Sequence, residues 1–244
     1  MQFTAVIPAR YQSTRFPGKP LALIHGKPMV CHVVDRAREV LDEVWVATDH
    51  EGIARAVRDH GGKVVMTSPG HTSGTDRCAE AAALIAVTTP VDVVINVQGD
   101  EPFIRPEQIR QLMACFTPEV QIATLVRKIT DPADLGNPNK PKVVLGRHGE
   151  ALYFSRSAIP YLRGRDRNQW VASHPYWAHI GMYGYRFDIL REITRLAPGA
   201  LETAESLEQL RWLENGYRIH TAATEYVSLG IDTPEDLQEA LKLF

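Results

Sequence analysis

Three cations stand close together near the start of the chain, Arg10, Arg15 and Lys19, with Ser13 and Thr14 between them and no acidic residue before Asp35. Two planar guanidinium forks, one ammonium and neighbouring hydroxyl donors can hold phosphate oxygens from several directions. The spacing excludes the commoner phosphate loops. A Walker loop needs two glycines flanking four residues and then Lys-Ser/Thr, whereas Gly18-Lys19 is followed by Pro20 and no glycine precedes it. A dinucleotide fingerprint needs three glycines, and this loop has one. The charge must come from side chains, not from a glycine nest. A solvated basic loop would show the same composition, so residue types alone leave a polyanion site and a plain surface both open.

Two carboxylates form the second constellation. Asp100 ends the turn Gln98-Gly99-Asp100, and Asp232 lies between an apolar strand end and a helix start. One or two carboxylates suffice for Mg²⁺ when phosphates and water complete its octahedron. Each also fits an ordinary turn or capping role.

The elements that must position these groups alternate. Residues 3–7 form a short apolar run rich in β-branched side chains and closed by Pro8, as expected of a buried parallel strand that opens into the basic loop. Periodicity predicts helices over 28–41, 52–60, 76–87 and 105–116, interleaved with strands over 43–48, 63–66, 91–97 and 121–129. Such alternation implies a parallel sheet with helices on both faces, a Rossmann-like α/β fold. Ligands in such sheets bind beyond the carboxyl ends of the strands, so Arg10 and Asp100 are expected in one crevice.

The second half is less regular. Residues 131–141, rich in Pro, Asn and Asp, predict a surface excursion, and strands over 142–145 and 151–154 flank a turn at 146–149. The stretch 163–177 reads as a long polar loop, a candidate lid or dimer contact. A strand over 179–186, helices over 188–196 and 204–214, and strands within 217–227 follow. On the helix over 204–214, Glu205, Glu208, Gln209 and Trp212 share one face. The last helix starts at Thr233-Pro234-Glu235-Asp236, a capping-box-like pattern.

Composition narrows the class. At 244 residues with 44% hydrophobic and 23% charged side chains, the chain suits one domain over 1–244 with a substantial core. A net charge of −2 argues against a general nucleic-acid binder. Cys31, Cys78 and Cys115 are isolated, without a Cys-x-x-Cys pair, so neither a disulfide framework nor a zinc site is indicated. No basic leader and no long apolar run is present, so the expected location is the cytoplasm, with no membrane partner.

The motifs Ile7-Pro8-Ala9-Arg10, Ser13-Thr14-Arg15-Phe16-Pro17-Gly18-Lys19-Pro20-Leu21 and Asn96-Val97-Gln98-Gly99-Asp100-Glu101-Pro102 resemble those of the CMP-sugar synthetases. The likeness continues through Tyr153-Phe154-Ser155-Arg156, His179-Ile180-Gly181-Met182-Tyr183-Gly184-Tyr185, Leu207-Glu208-Gln209-Leu210 and Gly230-Ile231-Asp232-Thr233-Pro234-Glu235-Asp236-Leu237. Within that family it is similar to the enzymes that activate 3-deoxy-manno-octulosonate (KDO). The resemblance implies CTP and KDO as substrates, Mg²⁺ on Asp100 and Asp232, and catalysis with Arg10, Arg15 and Lys19 on the triphosphate. It implies nucleotide contacts from Pro8, Ala9, Arg10, Ser13 and Gln98, with Ser73, Gly74 and Arg77 at the cytosine; a helix N-terminus explains Ser73-Gly74-Thr75-Asp76 equally well. It places the sugar on His179, Tyr183, Glu208 and Gln209. A homodimer is implied too, with the β-rich excursion over 145–186 as the expected interface. Another acidic sugar, such as a sialic acid or an amino variant of KDO, is the nearest alternative; a glycosyltransferase or a non-catalytic nucleotide-binding module is a more distant one.

Overall fold

The structure is a computed structural model that describes residues 1–13, 15–227 and 230–243. Thr14 of the basic loop lies outside the described residues. In chain order the first elements are β1 (Phe3–Ala9), β2 (Leu23–Ile24), β3 (Lys27–Pro28), α1 (Met29–Arg38), β4 (Val44–Thr48), α2 (Glu51–Asp59) and β5 (Lys63–Met66). Then come α3 (Gly74–Ile85), β6 (Val93–Asn96), α4 (Pro106–Ala114), β7 (Ile122–Lys128), α5 (Pro132–Gly136), β8 (Lys142–Leu145) and β9 (Ala151–Ser155). The chain ends with α6 (Trp170–Ser173), β10 (Trp177–Arg186), α7 (Phe187–Ile193), α8 (Ala200–Glu205), α9 (Gln209–Glu214), β11 (Ile219–Ala223) and α10 (Pro234–Leu243). Within the single domain expected over 1–244, contacts gather in two compact units. One holds Met1–Arg110, Gly184–Thr194 and the segment carrying α10; the other holds Gln111–Tyr183 and Arg195–Val227.

The first unit is the predicted parallel α/β arrangement. Its strands run in the order β6-β1-β4-β5, all parallel, with Val6 opposite Asn96 and Ile7 opposite Val46. Val6 and Ile7 point to opposite faces, and both are fully buried, so the sheet is covered on both sides. Each such side chain contributes roughly 1.5–3 kcal/mol on burial.

Pro8 does not end the first strand, contrary to expectation; it pairs with Ala47 and β1 continues to Ala9. The reason is one-sided. Val97 N donates to Val6 O at 3.1 Å, and the next rung of a parallel ladder would need an N–H on residue 8. Proline has none, so it stops β6 while the β4 side of the ladder goes on. The chain after β6 then turns beside Pro8, so closely that a Cβ on Gly99 would lie 2.7 Å from the Pro8 carbonyl oxygen.

A small core of Ile24, Met29, Ile231, Leu237 and Ala240, with Phe16 and Phe103 packed against it, docks α10 beside the basic loop. The expected cap is present: Thr233 Oγ1 accepts from Asp236 N at 3.2 Å, and Asp236 Oδ2 accepts from Thr233 N at 2.8 Å and Asp232 N at 2.9 Å.

In the second unit β11 pairs parallel with β7, β7 neighbours β10, and β8 pairs antiparallel with both β10 and β9. The β8–β9 hairpin turns where the glycines predicted it. The excursion over 131–141 contains the short helix α5, capped by Asp131 Oδ1 on Ala133 N at 2.9 Å.

Two expectations change here. The polar loop over 163–177 holds a 3-10 turn, Arg167–Gln169, followed by α6, because Trp170 and Tyr176 bury against Ile129, Leu135 and Ala178. The helix expected over 204–214 is broken into α8 and α9 at Ser206, which adopts φ 50°. A left-handed residue cannot continue a right-handed helix, so Glu205 does not share a face with Gln209 and Trp212. Among the described residues, no helix is long and apolar enough to cross a membrane.

Candidate active site

The basic loop leaves β1 at Ala9 and folds back on itself. Gly18, at φ 72°, donates from N to Tyr11 O at 2.9 Å, and the Tyr11 ring stacks on His50 with centroids 4.1 Å apart. A Cβ on Gly18 would come within 3.2 Å of the Tyr11 ring, so both the φ and the close approach favour glycine. Ser13 Oγ accepts from Phe16 N at 3.3 Å, which shapes the loop while its O–H hydrogen stays available to donate.

This loop forms one wall of a crevice of about 310 Å³. All of the nucleotide and metal residues taken from the sequence line it: Pro8, Ala9, Arg10, Ser13, Arg15, Lys19, Ser73, Gly74, Arg77, Gln98, Asp100 and Asp232. Loops after β1, β5 and β6, together with the turn before α10, converge there, as the strand-end rule requires. Asp100 and Asp232 meet because Ile231 N donates to Asp100 O at 2.9 Å, and the Asp236 cap fixes the backbone of Asp232.

Lys19, expected on the triphosphate, lines the crevice and bridges the two carboxylates. Its Nζ lies 2.7 Å from Asp100 Oδ2 and 3.3 Å from Asp232 Oδ1, while Arg15 reaches the same Asp232 oxygen at 3.1 Å. Two carboxylates left facing each other would repel, and the ammonium between them removes that cost. One cationic point therefore touches oxygens of both carboxylates, and all are hard oxygen donors, the set Mg²⁺ prefers. Among the described residues there is no group of three or more His, Cys, Asp or Glu that could hold a metal, so the remaining oxygens of an octahedron would come from phosphate and water.

The opposite wall is the start of α3. Ser73 caps this helix, its Oγ accepting from Asp76 N at 3.1 Å, so the capping reading and a crevice position hold together. Arg77 is buried, and its guanidinium donates to Thr67 Oγ1 at 2.6 Å and to Asp49 Oδ2 at 3.1 Å. His71, which the sequence reading missed, also lines the crevice and pairs with Glu80, whose carboxylate accepts from Ser68 N at 2.8 Å. Pro20, Thr72 and Gly99 complete the lining. Asp49 was legible in principle, since it sits just past the carboxyl end of a parallel strand.

The residues assigned to the sugar lie in the second unit. His179 Nε2 faces Thr124 Oγ1 at 3.0 Å, and its ring packs against Phe154 and Tyr183 at centroid distances of 5.2 Å each. Burial pushes the imidazole pKa down to about 3, so His179 is neutral at pH 7. Burial likewise pushes Tyr183 well above its ordinary value, with the Glu208 charge adding to the shift. Tyr183 sits edge-on to Trp212, which is buried on α9 together with Gln209. Gln209 is 5% exposed, and among the described residues its Nε2 has no hydrogen-bond partner.

The cytidylyltransferase family model matches residues 4–219. The chain belongs to the cytidylyltransferase family. Among relatives of this family, the chain is 56% identical over 246 residues to 3-deoxy-manno-octulosonate cytidylyltransferase of Parabacteroides distasonis, covering 99% of this chain and 97% of that one. It is 58% identical over 240 residues to the Cytophaga hutchinsonii protein of the same name, covering 97% and 95% of the two chains. The fold matches a CMP:2-keto-3-deoxy-manno-octonic acid synthetase complexed with CTP at TM-score 0.92 and 42% identity, covering 100% of this chain and 98% of that one. A 4-diphosphocytidyl-2C-methyl-D-erythritol synthase from Anaerococcus prevotii matches at TM-score 0.61 and 12% identity, a likeness of fold alone.

Proposed function

We infer that this protein transfers CMP from CTP to the anomeric hydroxyl of KDO, giving the CMP-sugar and pyrophosphate. The observation that carries this reading is the meeting of two carboxylates, three cations and a capped helix start around one crevice, in a chain of the cytidylyltransferase family. Product of this kind feeds lipopolysaccharide synthesis.

Phosphoryl chemistry leaves a protein little covalent work, so this chain's contribution is positioning and charge. Asp100 and Asp232 would hold Mg²⁺, which when bound neutralises α-phosphate charge and makes the sugar hydroxyl more acidic. Arg10 and Arg15 stand on a loop whose backbone is pinned by Gly18 and Tyr11, and they would take the charge of the departing pyrophosphate. Lys19 would exchange its carboxylate contacts for phosphate oxygens as the triphosphate arrives. Gln98 would contact the substrates beyond the end of β6. His179, held neutral by burial, would act as a hydrogen-bonding group for the sugar and not as a proton carrier, and the Gln209 amide would find its missing partner in a sugar hydroxyl.

We further propose a cytoplasmic homodimer joined through 145–186, where Leu152 and Tyr161 are 56% and 76% exposed. Light scattering on the purified protein tests this, and a monomer at micromolar concentration would refute it. The activity itself is tested by pyrophosphate release with CTP plus KDO, alongside CTP with a sialic acid. Release with the sialic acid alone would reassign the sugar.

A further inference from the structure

We propose that Asp49 is a positioning residue for nucleotide choice, holding the Arg77 guanidinium where it meets the pyrimidine ring. This rests on the cytidine reading above and extends it to a residue outside the crevice lining. The Arg77 side chain is 4% exposed and that of Asp49 18%, so the pair is largely withdrawn from water. Arg77 donates through one terminal nitrogen to Asp49 Oδ2 at 3.1 Å and through the other to Thr67 Oγ1 at 2.6 Å. Asp49 directly follows β4 and Thr67 directly follows β5. Those strands are paired, Thr48 opposite Met66, and Thr67 N donates to Thr48 O at 2.9 Å. Both anchors of the guanidinium therefore stand at adjacent ends of one ladder.

A guanidinium carries five N–H donors and accepts nothing. Among the described residues the anchors use two, and Arg77 lines the crevice with the others available to what it holds. Cytosine presents acceptors at O2 and N3, whereas uracil carries a hydrogen on N3. A fixed donor directed at N3 bonds to cytosine and meets another donor in uracil. An exposed arginine would turn aside and tolerate either base; one buried and tied at both terminal nitrogens cannot do so without leaving its charge unpaired. Asp49 thus supplies the counter-charge that lets Arg77 stay buried and the direction that makes it discriminate.

The test is steady-state kinetics with CTP and UTP on the full chain carrying Asp49→Asn, Asp49→Glu, Thr67→Val or Arg77→Met, with folding followed by circular dichroism. Asp49→Asn should raise the CTP KM about tenfold or more, leave kcat at saturating CTP within a few-fold, and cut the CTP-over-UTP preference in kcat/KM at least about tenfold. Asp49→Glu should restore part of that preference. If Asp49→Asn does not fold, Thr67→Val carries the test with a smaller loss of preference. An equal fall in kcat/KM for both nucleotides, with preference unchanged, would show the pair to be fold support only and overturn the proposal. Unchanged preference in Arg77→Met would sink the base-reading assignment itself, whereas collapse in Arg77→Met with full preference in Asp49→Asn would sink the role of Asp49 alone.

Discussion

The two groups of candidate residues have opposite electrostatic character. The crevice of the first unit keeps its charges: Asp100 and Asp232 are 34% and 48% exposed at the side chain, Arg15 63%, and they neutralise one another through Lys19. The cluster of the second unit gives charge up, with His179 held neutral, Tyr183 held protonated and Gln209 Nε2 buried without a partner among the described residues. In the proposed reaction phosphates and a hard cation would change partners, and partly hydrated ions exchange at modest cost. A sugar is recognised by hydroxyl geometry, and buried neutral donors discriminate strongly because an unpaired one is costly.

The sharpest break of the charged region is removal of a carboxylate. Asp100→Asn or Asp232→Asn should nearly abolish turnover while circular dichroism stays native, since an amide holds Mg²⁺ far less well than a carboxylate. Near-normal rates at saturating magnesium would remove that residue from the metal site. Lys19→Ala comes next, slowing pyrophosphate formation by about 10²-fold, and Arg15→Ala should cost less because its guanidinium is largely hydrated. The reverse order would mean that Lys19 serves the resting site and Arg15 the reaction.

In the neutral region Gln209→Ala should raise the KDO KM by about tenfold and leave CTP affinity, measured alone by calorimetry, within error. Weakened CTP binding with an unchanged KDO KM would place the sugar elsewhere. The smallest effect is on stability. His179 has a folded pKa near 3 against an unfolded value near 6.5, so the unfolded chain binds the extra proton first as pH falls. Stability should decline from about pH 6.5 downward, levelling only near pH 3, and His179→Asn should flatten that part of the curve in urea titrations. Parallel curves for the two proteins would mean the imidazole is hydrated.

Much of the crevice was legible because its parts are local. A cationic loop after a buried strand, a Gln-Gly-Asp turn after another, and a Ser-Gly-Thr-Asp helix start each announce themselves within a few residues. The cluster assigned to the sugar was named only through family likeness: His179 and Gln209 carry no local signal that separates them from ordinary core or helix residues. The helical period over 204–214 misled for the same reason, since it cannot register a single left-handed residue at Ser206.

Sequence alone determined the alternating order of strands and helices, the local motifs that line the crevice and the capping box at the start of α10, because hydrophobic period, turn chemistry and caps act over one or two turns of chain. Tertiary structure alone decided that Lys19 lies between Asp100 and Asp232, that Asp49 holds Arg77, and that Trp170 and Tyr176 bury within 163–177. Those pairings join residues far apart in the chain. They form only where parallel strand ends and packed helices bring the segments together, so their energies depend on distance and burial, which no local pattern encodes.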